Sequence, residues 1–231
     1  MKTLVLIPAF GCDARLYAPQ IAALEGRVSC IVHAGRQDRY EAMVATLLAE
    51  VPGDFAVLGT SMGGRLALEV ALAAPDRVEG LCVIGAGAGG TADPAPLLRR
   101  SARVRSGEKG AVLQEMSQII SHKEGPRGMA TREAFISMGH DFDTEALARQ
   151  SDALAHRTDK WEQLAGISCP SLFLWGVHDQ FSPAADGARM AEMVQDGSYV
   201  ELPDCGHFPT LEYPDKATDA IAAWLDDAGV I

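Results

Sequence analysis

The sequence predicts an α/β protein, a doubly wound and mostly parallel sheet with a small helical cap inserted between strands. Three observations carry that expectation. Six short apolar runs bounded by turn residues recur along the 231 residues, segments of helical spacing lie between them, and one long stretch breaks the alternation. Continuous apolar runs are what strands buried on both faces of a parallel sheet look like. Strand and helix in repetition give such a sheet, with right-handed crossovers and ligands gathered at the carboxyl ends of the strands.

The apolar runs are 3–9, 28–33, 55–59, 78–84, 171–175 and 198–202. Helical spacing marks 14–24, 40–51, 62–74, 184–194 and 215–226. From about residue 91 to 160 no strand-like run occurs, and helical patterns include 110–122 and 143–157. A structureless loop of that length does not fit a compact domain. The expected organisation is a core of residues 1–90 and 161–231 with a helical cap of residues 91–160.

Composition narrows the function classes. Hydrophobic residues make up 48 % and charged residues 22 %, a globular mixture. The formal net charge of −11 repels backbone phosphates, so nucleic acid is not an expected partner. Five scattered cysteines, Cys12, Cys30, Cys82, Cys169 and Cys205, form no C-x-x-C pair. They read as free thiols of a reducing, cytoplasmic compartment, with neither a disulfide framework nor a zinc site. Met1-Lys2 before an apolar run ending at Cys12 faintly imitates a lipoprotein signal, but the run is short, contains Pro8 and is needed as a strand. No apolar stretch reaches membrane-spanning length.

The chemistry centres on Gly59-Thr60-Ser61-Met62-Gly63, which follows an apolar strand and opens an apolar helix. In that context G-x-S-x-G is a nucleophile elbow, with the serine on a sharp turn and the glycines avoiding side-chain clashes. The alternative is a serine helix cap after a glycine turn. A serine hydroxyl needs a base, itself held by an acid, and in this arrangement the order is Ser, acid, His. His207, after the last predicted strand, is the expected base among six histidines, and Asp179, after the fifth, is the expected acid. Asp93, after the fourth strand, is the alternative acid.

With these pieces in order, the sequence resembles the α/β-hydrolase superfamily along nearly its whole length. The resemblance rests on Gly59-Thr60-Ser61-Met62-Gly63-Gly64, Trp175-Gly176-Val177-His178-Asp179 and Cys205-Gly206-His207-Phe208-Pro209-Thr210-Leu211-Glu212. It is similar to the small capped members: carboxylesterases, acyl-carrier methyl ester esterases, enol-lactonases and C–C bond hydrolases. Two departures stand out. The usual antiparallel hairpin before the first strand is absent, and Pro8-Ala9 replaces the common His-Gly. The resemblance implies an oxyanion hole from the backbone amides of Phe10 and Met62, and catalysis without cofactor or metal. Phe10, Met62, Met138 and Phe181 are the expected substrate contacts.

Gly85-Ala86-Gly87-Ala88-Gly89-Gly90 satisfies G-x-G-x-x-G literally, but no helix opens on those glycines, so it reads as a loop at the root of the cap. Residues 91–132 hold eight cations (Arg99, Arg100, Arg103, Arg105, Lys109, Lys123, Arg127, Arg132) and four acids, a local +4 in an acidic chain. Arg99 and Arg103 share a helical face. Such a cap would attract an anionic substrate, either a small carboxylate or an acidic acyl carrier protein; the alternative is a solvated helix face. The expected function is hydrolysis of a carboxylic ester or thioester through an acyl-enzyme. A lactonase or C–C hydrolase with the same triad is the alternative, and a ligand-gated receptor of the same fold is the reading from another class.

Overall fold

The computed structural model describes residues 1–125 and 127–231. Six strands, β1 (Thr3–Ile7), β2 (Ser29–Val32), β3 (Phe55–Thr60), β4 (Val78–Ile84), β5 (Ser171–Gly176) and β6 (Gly197–Leu202), form one sheet in the order β2-β1-β3-β4-β5-β6. Every pairing is parallel. The connecting helices are α1 (Ala18–Ala23), α2 (Tyr40–Glu50), α3 (Met62–Ala73), α8 (Ala184–Met193), the short α9 (Pro209–Glu212) and α10 (Pro214–Asp227). Between β4 and β5 run α4 (Ala95–Arg103), a π-helical turn (Val104–Glu108), α5 (Lys109–Ser117), α6 (Gly128–Asp141) and α7 (Thr144–Ala155).

All six positions of β3 and of β5 are buried, which is why they read as unbroken apolar runs. The same expectation fails at the two ends of the sheet. Strands β2 and β6 have one neighbour each and are largely intermediate or exposed. With a neighbour on one side only, these strands stay partly open to solvent although their composition is strand-like.

The strand order reverses between β1 and β3, and that is where an open α/β sheet leaves a crevice at its carboxyl edge. Register sets the crevice: Ile7 pairs with Gly59, and Gly59 with Val83. Phe10 and Ser61 therefore leave neighbouring strands at nearly the same level. Helix α3 then packs hard against the strand ends, with Met62, Gly63, Gly64, Arg65 and Leu66 all buried in its first turns.

Arg65 explains how the inserted helices are anchored. Its fully buried guanidinium pairs with Glu69 at 2.8 Å and donates to the carbonyls of Ala88 (3.0 Å), Gly89 (2.9 Å) and Thr158. The glycine-rich segment thus points carbonyls at a cation, the reverse of the amide cradle that a phosphate needs. Thr158 stands where the chain returns from the insertion, so one side chain holds both ends of its root. Arg65→Met should cost about 3–5 kcal/mol, because three carbonyls lose their donor and Glu69 keeps only Lys160, at 3.4 Å. Urea unfolding should show a lower midpoint with an unchanged slope; a loss under about 1 kcal/mol would show that the root is held by other contacts.

Candidate active site

Ser61 follows β3 with φ 56° and ψ −118°, and it is the one described non-glycine residue in the left-handed region. Such a conformation costs on the order of 1–3 kcal/mol and persists only when its surroundings impose it. Here the Ser61 amide donates to the Ile84 carbonyl at 2.7 Å, and the Ser61 carbonyl accepts from the Arg65 amide at 2.9 Å. Beneath it, the buried Tyr17 hydroxyl donates to the Ile7 carbonyl (2.7 Å) and lies 2.9 Å from Thr60 Oγ1. Burial pushes the Tyr17 phenol well above its usual range, so it stays a neutral hydrogen-bonding group.

The histidine and carboxylate expected from the sequence meet. His207 Nδ1 lies 2.7 Å from Asp179 Oδ2, and both side chains are buried. The other carboxylate oxygen, Asp179 Oδ1, accepts the amides of Phe181 (2.8 Å) and Ser182 (3.1 Å). The carboxylate is thereby fixed as an acceptor, and it faces the Nδ1 side of the imidazole. Asp93, the alternative acid, is exposed and accepts the Ala95 amide at the start of α4.

Glu212 was only part of a motif in the sequence; the structure gives it work. Its buried carboxylate accepts the amides of His122 (2.9 Å), Gly206 (2.9 Å) and Phe208 (3.1 Å), clamping the residues on both sides of His207. Desolvation raises its pKa above the usual carboxylate value, against the lowering effect of those amides. The His207 amide itself donates to the Ile120 carbonyl at 3.1 Å, so the loop is tied to the insertion.

Ser61 and His207 line one cavity of about 320 Å³ at the carboxyl edge of the sheet. Of the residues expected to touch substrate, Phe10, Met62 and Phe181 line it too, whereas Met138 is fully buried on α6 and outside that lining. Met62 opens α3, so its amide is one of those a helix leaves without an intrahelical acceptor. The loop carrying Phe10 is held from the insertion: Gln150 on α7 accepts the Gly11 amide at 2.9 Å and donates to the Gly35 carbonyl at 2.7 Å. No sequence signal marks Gln150, since its partners come from distant segments.

The basic segment divides differently from its expected face. Arg99 is exposed and outside the cavity lining, and Arg103 faces away, paired with Glu108 (2.9 Å) and Glu115 (2.7 Å). Arg100, between them, lines the cavity together with Arg157. The sequence marked no metal-ligand set, yet the fold brings His122, His178 and Asp204 within 4.8 Å of one another outside the cavity, the two imidazoles stacked at 3.9 Å. All five cysteines are free, and Cys12, Cys82 and Cys205 are buried with thiol pKa values pushed far up by desolvation. No described helix is long and apolar enough to cross a membrane.

Gly85 has φ +61° and touches the pair directly: a Cβ there would lie 3.0 Å from Asp179 Oδ2 and 3.1 Å from His207 Nδ1. Gly85→Ala should displace both groups by a few tenths of an ångström and lower turnover about tenfold or more in a folded protein. Turnover and circular dichroism check this together; wild-type turnover by a folded variant would show that the pair tolerates the displacement.

The model of the family described as "Alpha/beta hydrolase family" matches residues 4–220. A 2-hydroxy-6-oxononadienedioate/2-hydroxy-6-oxononatrienedioate hydrolase of Pseudomonas putida is 27 % identical over 179 residues, which cover 73 % of this chain but only 62 % of that protein. A pimeloyl-[acyl-carrier protein] methyl ester esterase of Nitrosomonas europaea is 24 % identical, covering 78 % of this chain and 74 % of the other. A solved thermophilic esterase from Thermogutta terrifontis, with malate bound, superposes with a TM-score of 0.89 at 25 % identity, over 99 % of this chain and 90 % of that one.

Proposed function

The chain belongs to the alpha/beta hydrolase family, and from that premise we propose that it is a serine hydrolase that cleaves carboxylic esters or thioesters through an acyl-enzyme on Ser61. The observation that carries this reading is the His207–Asp179 pair at 2.7 Å, sharing one cavity edge with a serine in an imposed left-handed conformation.

In this mechanism Ser61 Oγ attacks the carbonyl carbon while its proton passes to His207 Nε2. Asp179 remains ionised, keeps the Nδ1 proton in place and stabilises the imidazolium. The oxyanion forms against the amides of Phe10 and Met62, where each donor is worth about 3 kcal/mol of transition-state stabilisation. Collapse expels the alcohol or thiol, which takes the proton from His207. Water then repeats the sequence and releases the acid. The four inserted helices act as a cap over the acyl or leaving group.

Hydrolysis of a lactone, or of a C–C bond beside a carbonyl, would use the same groups. The likeness to the Pseudomonas putida hydrolase supports that second reading, and a screen of 2-hydroxy-6-oxononadienedioate against short p-nitrophenyl esters separates the two. A receptor of the same fold would bind such compounds without steady-state turnover.

Ser61→Ala should abolish ester turnover and fluorophosphonate labelling while the thermal transition remains; more than a few per cent of residual activity would remove Ser61 from its role. Asp179→Asn should lower kcat by about 10⁴, the loss known for a serine protease with the same change, and Asp93→Asn should do little. The reverse pattern would place the acid at Asp93.

A further inference from the structure

Arg100 sits on α4 and lines the cavity with no carboxylate against it. Its guanidinium lies over the Phe10 ring with Cζ 4.3 Å from the centroid, its Nε donates to Ser151 Oγ at 2.5 Å, and its Nη1 lies 3.7 Å from Met116 Sδ. Its Nη2 is buried and has no hydrogen-bond partner among the described residues. Arg100 forms no ion pair with any described carboxylate, in contrast to Arg65, Arg103 and Arg105. Desolvation pulls its pKa down to about 10, so at neutral pH the site still holds a positive charge.

An uncompensated buried cation is among the costliest things a fold can carry, and it normally has a carboxylate or a ligand against it. A methionine sulfur is a weak acceptor, and the ring face attracts a cation without neutralising it. The partner must come from the cavity. There the wall is cationic: Arg157, whose Nε donates to Thr91 Oγ1 at 3.0 Å, is the second cation, and Asp186 is the single acid among the lining residues. Serine and ring fix the guanidinium plane, Met116 lies beside Nη1, and Nη2 keeps donor hydrogens with no acceptor; a carboxylate is the acceptor a guanidinium pairs with best.

We propose that Arg100 is the specificity residue of this site and that the substrate is an acyl compound carrying a free carboxylate, which supplies the acceptor the Arg100 guanidinium lacks while Ser61 acts on the carbonyl. The proposal rests on the acyl-enzyme reading for its chemistry, but not for its binding.

Two measurements keep those apart. Glutarate binding to Ser61→Ala, followed by calorimetry, needs no turnover. It should be detectable at millimolar concentration and be lost in Ser61→Ala/Arg100→Met. No binding in the single variant, or equal binding in both, overturns the proposal. Turnover is then compared for p-nitrophenyl butyrate, mono-p-nitrophenyl glutarate and 4-butyryloxybenzoate, which place the carboxylate nowhere, on the acyl side and on the leaving group. Arg100→Met should lower the kcat/KM ratio of a carboxylate ester to the neutral ester about 100-fold. Arg100→Lys should recover part of it, because charge is kept and the fork lost. The ratio should survive added salt, which screens exposed charges over about 8–10 Å but a buried contact much less. Arg100→Met should melt no lower than wild type, since it replaces an unpaired buried charge with an apolar side chain. A lower melting temperature with equal loss on all three esters would make Arg100 a strut of the cap and overturn the proposal. Should Ser61 resist fluorophosphonate while glutarate still binds through Arg100, the acyl-enzyme reading fails and the carboxylate site stands.

Discussion

A Cβ on residue 63 would lie 2.0 Å from the Ile7 carbonyl oxygen, and one on residue 59 would lie 2.0 Å from the Gly63 carbonyl oxygen. The first turn of α3 therefore presses against the end of β1 and against its own preceding strand, with no room for side chains. That close approach leaves the chain between the two glycines one way to turn, through the left-handed conformation of Ser61. It also places the start of α3, with its unpaired amides, beside the loop that leaves β1. The serine, the Met62 amide and the Phe10 loop converge because two strands and a helix touch at backbone distance.

Around that point, polar groups rather than apolar packing decide which segments meet. Glu212 clamps the histidine loop by three amides, Gln150 fixes the Phe10 loop from α7, and Arg65 gathers the root of the insertion. Each is buried and satisfied by main-chain groups from more than one segment. Losing one such partner leaves others unsatisfied, at about 1–3 kcal/mol each. The inserted helices are thus bonded to both loops of the site, so their placement and the geometry at Ser61 are coupled.

This division explains what could be read from the chain. Strands β3, β4 and β5, buried on both faces, announced themselves by composition, and Ser61, Asp179 and His207 by following strands in a fixed order. The edge strands misled because apolar spacing does not say how many neighbours a strand has. Gln150 was illegible because its partners are a main-chain amide and carbonyl, which carry no sequence signature; Arg65 shows only its i,i+4 spacing to Glu69 in the sequence, not the three carbonyls it gathers. Met138 was misassigned because an apolar helix position fits a core as well as a pocket, and the core took it. Helix phase alone could not tell which arginine of Arg99, Arg100 and Arg103 turns inward. That was settled by the docking of α4 on α7, where Ser151 receives Arg100.

The same docking changes what the basic segment means. Arg103 is paired with Glu108 and Glu115, and Arg105 with Glu145 and Asp152, the latter two from beyond the basic stretch. Glu108 and Glu115 are already counted in the local +4, so assembly adds only Glu145 and Asp152 against it, and the remaining excess is set in a chain of net charge −11 that opposes steering an anion from a distance. Inside the cavity the balance runs the other way, because Arg100 has no carboxylate and Arg157 shares its wall with Asp186 alone. A cation seen through bulk water at 4 Å is worth about 1 kcal/mol to an anion, and several times that where water is excluded. Selection for a carboxylate would then operate at contact, after entry, and through one guanidinium held flat against Phe10.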